Sequence, residues 1–521
     1  MSRTLDSLLK EQAFLHADRL AVITPTNSVT YGQLHERASR VAARLRNDGI
    51  VRGDRVGILV SNRIEWLEIF FGAVTVGAVV VPFSTWSTSA ELEALVEDAD
   101  LKILFAATAF GDRDFMADLQ RLQGEGLRVV ALDAPGTDMF DRYEDFPAEG
   151  PVEILPPGAG SSAGDDALIL YTSGSTSVPK AVRLAHFGLI ENGFNIGERQ
   201  GLSGTDRILL SAPLFWAYGG ANALQATMTH GATLVLLEKF DAGLALDMIE
   251  RHSCTSIYTL PAMTGALVRH PAFTPARTAS VRTGVTIGNE EEFLLAADGL
   301  GIPHLCNVYG LTETYGNCAV TWHEWPQEQR ARSQGTMLPG QLIRIRDEAT
   351  GEIIPSDQLG LIEIGGYVTP GYSGKSAALN GDIFTEDGYY RTGDIGHLNE
   401  AGGLIFSGRS TEMIKRAGIN VSPAEVEAAM ARHGSVAQVA VVGVTDDRRG
   451  ELIFAYVVPT GDGASVDEIY VFLRAQISKY KIPDWIEFCD DLPLTVTGKL
   501  HRKQMKENAK DLMAQRLRSV S

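Results

Sequence analysis

Residues 172–180, TSGSTSVPK, set five hydroxyl side chains around one glycine and end on a lysine. Thr172, Ser173, Gly174, Ser175, Thr176 and Ser177 offer backbone N–H groups and hydroxyl donors without bulk. A loop of that kind folds around a phosphate, and Lys180 supplies the positive charge. It is not the GxxxxGK[ST] loop, because Pro179 precedes the lysine and Ala181 follows it. Taken alone, the string reads equally well as a solvated Ser/Thr surface loop.

Five further stretches follow in order: NVYGLTET (residues 307–314), YRTGDIG (390–396), GRSTEMIKRAGINVSPAEVE (408–427), KYKIPDWI (479–486) and PLTVTGKLHR (493–502). With them the chain resembles the acyl-adenylate-forming superfamily, which comprises acyl-CoA synthetases, peptide-synthetase adenylation domains and luciferases. The likeness covers nearly the whole length. Singly, each residue has a plain structural use. Asp394 could cap a turn, Tyr309 could be a core aromatic, Glu313 could serve a helix dipole, and Lys499 could be a solvated lysine. His186, His230 and His304 read as helix-end or core histidines without chemistry.

The resemblance implies a role for each position. Thr172, Ser173, Gly174, Ser175, Thr176 and Lys180 would hold the β- and γ-phosphates of ATP, and Gly288, Asn289 and Gly310 would belong to the same nucleotide site. Tyr309 would stack on adenine and Thr312 would touch the α-phosphate. Glu313, with Thr176, would hold Mg²⁺, since hard oxygen ligands suit that cation. Asp394 would accept from the ribose hydroxyls, with Arg409 beside it. Lys499 would reach both the ribose–phosphate oxygen and the acyl carboxylate. Catalysis would rest on Lys499, Glu313 and Thr312. Two positions depart from the superfamily pattern: Ser177 and Ala181 stand where relatives usually carry glycine. At the hinge position, Thr411 stands where Asp or Lys is commoner.

A carboxylate is a poor acyl donor, because its oxygen will not leave. The implied remedy is attack on the α-phosphate of ATP, with release of pyrophosphate, to give an acyl-AMP that a thiol then cleaves. Lys499 would serve the first step and leave for the second, through rotation about Thr411. The strand around Lys415, Arg416 and Gly418 would then line the path of coenzyme A; as cations for its phosphates, Lys415, Arg416, Arg448 and Arg449 read equally well as ordinary surface charges. A carrier-protein thiol is the alternative acceptor.

The acid would lie among residues 213–224, 283–289 and 314–320, against Phe215, Trp216, Tyr218, Gly219, Gly284, Thr314 and Tyr315. Adenylation domains for α-amino acids carry Asp directly after the phenylalanine of the first segment, whereas this chain has Trp216 there. A buried ammonium without that partner is costly, so an amino acid is disfavoured. A small-to-medium aliphatic, cyclic or aromatic acid is expected, with a long-chain fatty acid as the alternative.

Such a site needs a rigid carrier. Strand-like runs (RLAVIT, RVGILV, AVVVPF, KILFA, ALILYT, DRILLSAP, ATLVLLE, SIYTL) alternate with helical patterns, which predicts an α/β fold rich in parallel sheet. YGQLHERASRVAARLRNDG reads as an amphipathic helix with Thr30 as its N-cap and Gly49 as its stop. Residues 133–165, rich in Gly, Pro, Ala and Ser, read as a surface connection. A large N-terminal body is expected over 1–408, with a β-barrel-like subdomain at 335–408, followed by a small mobile α+β domain at 409–521.

Bulk properties narrow the partners. The 521 residues are 45% hydrophobic and carry a net charge of −19, which opposes nucleic-acid and anionic-membrane binding. From residue 408 onward, 16 Lys+Arg face 15 Asp+Glu, a net of +1, so residues 1–407 carry −20. The four cysteines show no metal-ligand or paired spacing, and no run is long enough to span a membrane. A cytoplasmic monomer or homodimer is expected, with no integral membrane segment.

Overall fold

The computed structural model describes residues 4–133, 139–148, 160–172, 179–416, 419–446, 450–461, 465–477, 479–494 and 500–520. They form two compact units. The first comprises 1–343, 364–390 and 402–404, and the second 344–363, 391–401 and 405–521.

The first unit holds two large sheets. One runs in the order Thr336–Met337, Ala319–Val320, His304–Tyr309, Thr283–Thr286, Ser256–Tyr258, Arg207–Leu210, Thr233–Leu236, Leu20–Ile23, Ser28–Thr30. Its six central strands are parallel. The other runs Tyr372–Ser373, Lys180–Ala185, Asp166–Thr172, Val79–Pro82, Arg55–Leu59, Ile103–Ala106, Arg128–Ala131, Asp141–Arg142. It is parallel from Asp166–Thr172 onward and antiparallel at the Lys180 edge.

Local chemistry sets the helices. Helix Tyr31–Asn47 starts at Thr30, whose hydroxyl accepts from Gln33 N–H while the Gln33 side chain answers the Thr30 N–H. It buries Tyr31, Leu34, Ala38, Val41 and Leu45 on one stripe, and the chain turns away at Gly49 with φ +85°. Helix Ile64–Thr75 is instead buried at every position from Trp66 through Val74, as a helix enclosed on all sides must be. It crosses helix Tyr31–Asn47 at Gly72, where a Cβ would stand 2.7 Å from a Val41 methyl. One core takes side chains from both sheets, including Val22, Ile208 and Leu234 from the first and Ile58, Val80 and Leu168 from the second.

Residues 139–148 depart from the surface-connection expectation. Phe140, Tyr143 and Phe146 are buried, and the Tyr143 hydroxyl donates to Glu68 at 2.7 Å. Three aromatic rings outweigh the loop-like composition around them.

In the second unit, a five-stranded sheet is ordered Ile353–Ile354, Gln341–Arg346, Gly360–Gly366, Tyr390–Leu398, Leu404–Arg409, with parts of the middle strands belonging to the first unit. A second sheet is ordered Ile419–Val421, Ile414–Arg416, Gly450–Pro459, Val436–Asp446, with Trp485–Phe488 parallel to Gly450–Pro459. Its strands alternate faces. Val441, Ile453 and Ala455 pack with Val426, Met430 and Leu473, while Val442 and Phe454 pack with Met505 and Ala509. No helix among the described residues is long and apolar enough to cross a membrane.

Candidate active site

Strands Asp166–Thr172 and Lys180–Ala185 pair antiparallel with Thr172 directly opposite Lys180, so the two residues stand at the mouth of the hydroxyl-rich loop. The loop itself, with Ser173, Gly174, Ser175, Thr176 and Ser177, lies outside the described residues. Strand Tyr372–Ser373 pairs antiparallel with Lys180–Ala185, with Val182 opposite Tyr372. Ala181 is fully buried and its N–H donates to Ser376 Oγ at 3.0 Å.

That register sets Tyr372 beside two of the expected site residues. Lys180 Nζ lies 5.5 Å from the centroid of the Tyr372 ring. The Tyr372 hydroxyl donates to Glu313 Oε1 at 2.7 Å and is 3.3 Å from the Tyr390 hydroxyl. Burial first, and then the Glu313 charge, push both phenols up, so they stay protonated donors at neutral pH. Neither tyrosine was singled out in the sequence. The only local signal was an aromatic two residues beyond a proline, in PGYSG, and one ahead of RTGD.

Glu313 sits on a tight turn after strand His304–Tyr309. At Gly310 a Cβ would stand 2.4 Å from Asn317 Cα, so only glycine permits that return of the chain. The turn Thr312–Thr314 is closed by the Thr314 hydroxyl, which donates to Leu311 O and accepts from Leu311 N–H, each at 3.0 Å. Tyr315 then takes the left-handed conformation, φ +62°, and lays its ring over Gly188, where a Cβ would come within 2.0 Å. Tyr309 is 7% exposed, Glu313 5%, and Thr312 half-buried.

A buried carboxylate held by phenolic donors fits a hard cation. Among the described residues no group of three or more His, Cys, Asp or Glu could cage a metal alone. Asn289 caps helix Glu290–Gly299 through Glu292 N–H, and the Gly288 carbonyl accepts from Asn307 Nδ2 at 3.3 Å.

Phe215 and Trp216 form an aromatic group with Trp86, which the sequence did not single out. Trp86 lies edge-on to Trp216 at 5.0 Å and to Phe215 at 5.6 Å between centroids. Tyr218 is buried, its hydroxyl 2.9 and 2.8 Å from the carbonyls of Thr259 and Val285. Gly219 lies in the π-helical turn Ala217–Ala223, a local form frequent at functional sites. A Cβ there would stand 2.2 Å from Pro213 O, and one at Gly284 2.3 Å from Ile257 O. Thr314 is fully buried.

In the second unit Asp394 is 3% exposed, and Arg409 Nε lies 3.3 Å from its Oδ1. Thr411 is exposed, in a turn where the N–H groups of Glu412 and Met413 both donate to Arg409 O. Arg416 donates to the carbonyls of Tyr480 and Ile482 and to Asp484, so its guanidinium is engaged in holding its own unit together. Lys415 is placed by its backbone in strand Ile414–Arg416, while Gly418, Arg448, Arg449 and Lys499 lie outside the described residues.

His186 is a fully buried helix-start residue, and His230 ends a helix against Glu198. His304 departs from its expectation: it opens a strand and is exposed, with Nδ1 3.0 Å from His323 O.

Residues 9–373 match the family model of the AMP-binding enzyme, and 425–499 that of the AMP-binding enzyme C-terminal domain. The chain is 31% identical to an indoleacetate–CoA ligase of Aromatoleum aromaticum, over 96% of this chain and 98% of that protein. It is 30% identical to a mitochondrial medium-chain acyl-CoA ligase of Mus musculus, over 95% and 85%. Among solved structures, ATP-bound MatB from Rhodopseudomonas palustris superposes with a TM-score of 0.86 at 26% identity, over 97% and 99%. The o-succinylbenzoate CoA synthetase of Bacillus subtilis, bound to its acyl-adenylate, gives 0.81 at 26%, over 96% and 97%. Both family domains match in order and the likeness runs the length of the chain, so this protein belongs to the AMP-binding enzyme family, in its acyl-CoA synthetase branch, as an AMP-forming acid–thiol ligase.

Proposed function

We propose that the protein activates a small-to-medium aliphatic, cyclic or aromatic carboxylic acid as acyl-AMP and transfers the acyl group to coenzyme A. The observation that carries the choice of acid is the aromatic group of Trp86, Phe215 and Trp216, with Trp216 at the position where an amino-acid-activating domain carries Asp. That the indoleacetate and medium-chain relatives are named for such acids supports it.

In the first half-reaction the acid's carboxylate oxygen attacks the α-phosphorus and the bond to pyrophosphate breaks. Lys180 offsets phosphate charge, Tyr309 offers its face to adenine, and Thr312 holds the α-phosphate. Asp394 accepts from the ribose, with Arg409 alongside, and Lys499 balances charge on the reacting oxygens. Mg²⁺, when bound at Glu313, neutralises further phosphate charge. In the second half-reaction the thiolate sulfur attacks the acyl carbon, and AMP leaves with the electron pair of the broken bond. Residues 409–521 would turn about Thr411 between the steps. Lys415, Arg416 and Gly418 are the candidates for coenzyme A, and Arg416 already donates to Tyr480, Ile482 and Asp484 within its own unit.

The cytoplasm is the proposed location, as a monomer or homodimer; Cys254, Cys306, Cys318 and Cys489, kept as thiols and not as disulfides, suit a reducing compartment. ATP–pyrophosphate exchange over a panel of carboxylic acids tests the reading, together with the coenzyme A dependence of thioester formation. Exchange confined to α-amino acids, or no thioester with coenzyme A, would refute it.

A further inference from the structure

Asn192, Asn222 and Asn317 form a buried amide cluster, each no more than 1% exposed. Asn192 Nδ2 donates to Asn317 O at 2.6 Å, and Asn222 Nδ2 donates to Asn192 Oδ1 at 3.0 Å and to Tyr315 O at 2.8 Å. Two polar atoms of the cluster have no partner among the described residues: Asn222 Oδ1, an acceptor, and Asn317 Nδ2, a donor. Gln341 adds a third. It is 4% exposed and bonded through Nε2 to the carbonyls of Thr314 and Tyr367, and its Oε1 is unpaired.

Buried polar atoms without partners are rare, because each costs the desolvation it suffers. Two of these lie on the segments assigned to the acid. Asn222 is in the π-helical turn that starts just after Trp216, and Asn317 follows the turn bearing Glu313. The Asn222 amide packs directly on Gly316, where a Cβ would come within 2.4 Å of Oδ1, so only glycine fits beneath it.

We infer that the amide cluster is a specificity element, and that the acid carries a neutral hydroxyl on an otherwise apolar body. This rests on the acyl-pocket reading above. A hydroxyl donates and accepts at once, which matches a cluster that holds one unpaired acceptor and one unpaired donor. A second carboxylate would be buried among neutral amides with no counter-charge, which is far costlier. The rival occupant is ordered water, which also satisfies buried amides.

The test compares paired acids of nearly the same shape in ATP–pyrophosphate exchange. Benzoate, phenylacetate and hexanoate are each presented with a methyl or a hydroxyl at the same carbon, to wild type and to the Asn222→Leu and Asn317→Leu variants. Sites built to bond a substrate hydroxyl reject the analogue lacking it strongly. The expected result is at least one hydroxylated acid about tenfold or more better in kcat/KM than its methyl partner, with the ratio reversed in a leucine variant that retains exchange. Methyl acids equal or better in every pair would assign the cluster to water and overturn the inference. A hydroxyl preference left intact in both variants would also overturn it. Exchange with the methyl acids alone would spare the ligase reading, whereas exchange with no acid would sink the acid assignment as well.

Discussion

The hydroxyl of Tyr372 lies 2.7 Å from Glu313 Oε1, while the face of the same ring meets the ammonium of Lys180 at 5.5 Å from its centroid. One side chain thus aligns the expected phosphate cation and the expected metal carboxylate. Tyr372→Phe keeps the ring and removes the donor. A hydrogen bond to a charged group is worth about 1.5–3 kcal/mol, so adenylation should slow by roughly ten- to a hundredfold. Thioester formation from supplied acyl-adenylate should be unchanged. Wild-type pyrophosphate exchange in this variant would remove Tyr372 from the site.

Lys499→Ala should separate the half-reactions. Acyl-AMP formation should be abolished, while acyl transfer from a supplied acyl-adenylate to coenzyme A should persist. Single-turnover assays of each half-reaction check this, and equal losses in both would reject the division of labour.

Trp216→Ala should shift preference toward bulkier acids, and Trp86→Ala should shift it the same way, because Trp86 braces Trp216 edge-on at 5.0 Å. The measurement is the ratio of kcat/KM across a size series. An unchanged acid profile in both variants would take the aromatic group out of the pocket.

His186 makes the fold sensitive to acid. Its Nδ1 accepts from Leu5 N–H at 3.2 Å, its Nε2 has no partner among the described residues, and the ring is fully buried. Burial pushes its pKa down to about 4, opposed by the Asp165 charge. The unfolded chain therefore binds a proton near pH 6.5 that the folded chain refuses until about pH 4. Stability is unaffected by this group above pH 6.5 and falls as pH drops, by up to about 3 kcal/mol near pH 4. Urea unfolding at pH 7 and 4.5 should show a smaller loss in His186→Gln than in wild type. Equal losses would show that the ring does not govern this range.

Much of the fold was legible because its causes are local. The Thr30 cap, the apolar stripe of helix Tyr31–Asn47 and the stop at Gly49 lie within a few turns of chain, and strands such as Arg55–Leu59 and Ile103–Ala106 follow from short apolar runs. Thr172 and Lys180 flank their loop for the same reason: they face each other across a hairpin.

What distant residues do to one another was not legible. Tyr372 reaches Glu313 only because strand Tyr372–Ser373 docks beside Lys180–Ala185, a choice made by sheet register. Asn192, Asn222 and Asn317 meet because a helix, a π-helical turn and a strand-end loop converge, and none of them carries a local signal. Likewise, Phe140, Tyr143 and Phe146 bury a stretch whose composition reads as surface, and Arg416 is bound by groups more than sixty residues away. Propensity and motif spacing act over one or two turns of chain, so the sequence names the chemistry. Tertiary packing decides which partner each group finds, because the cost of burying a polar group is set by whatever surrounds it in space.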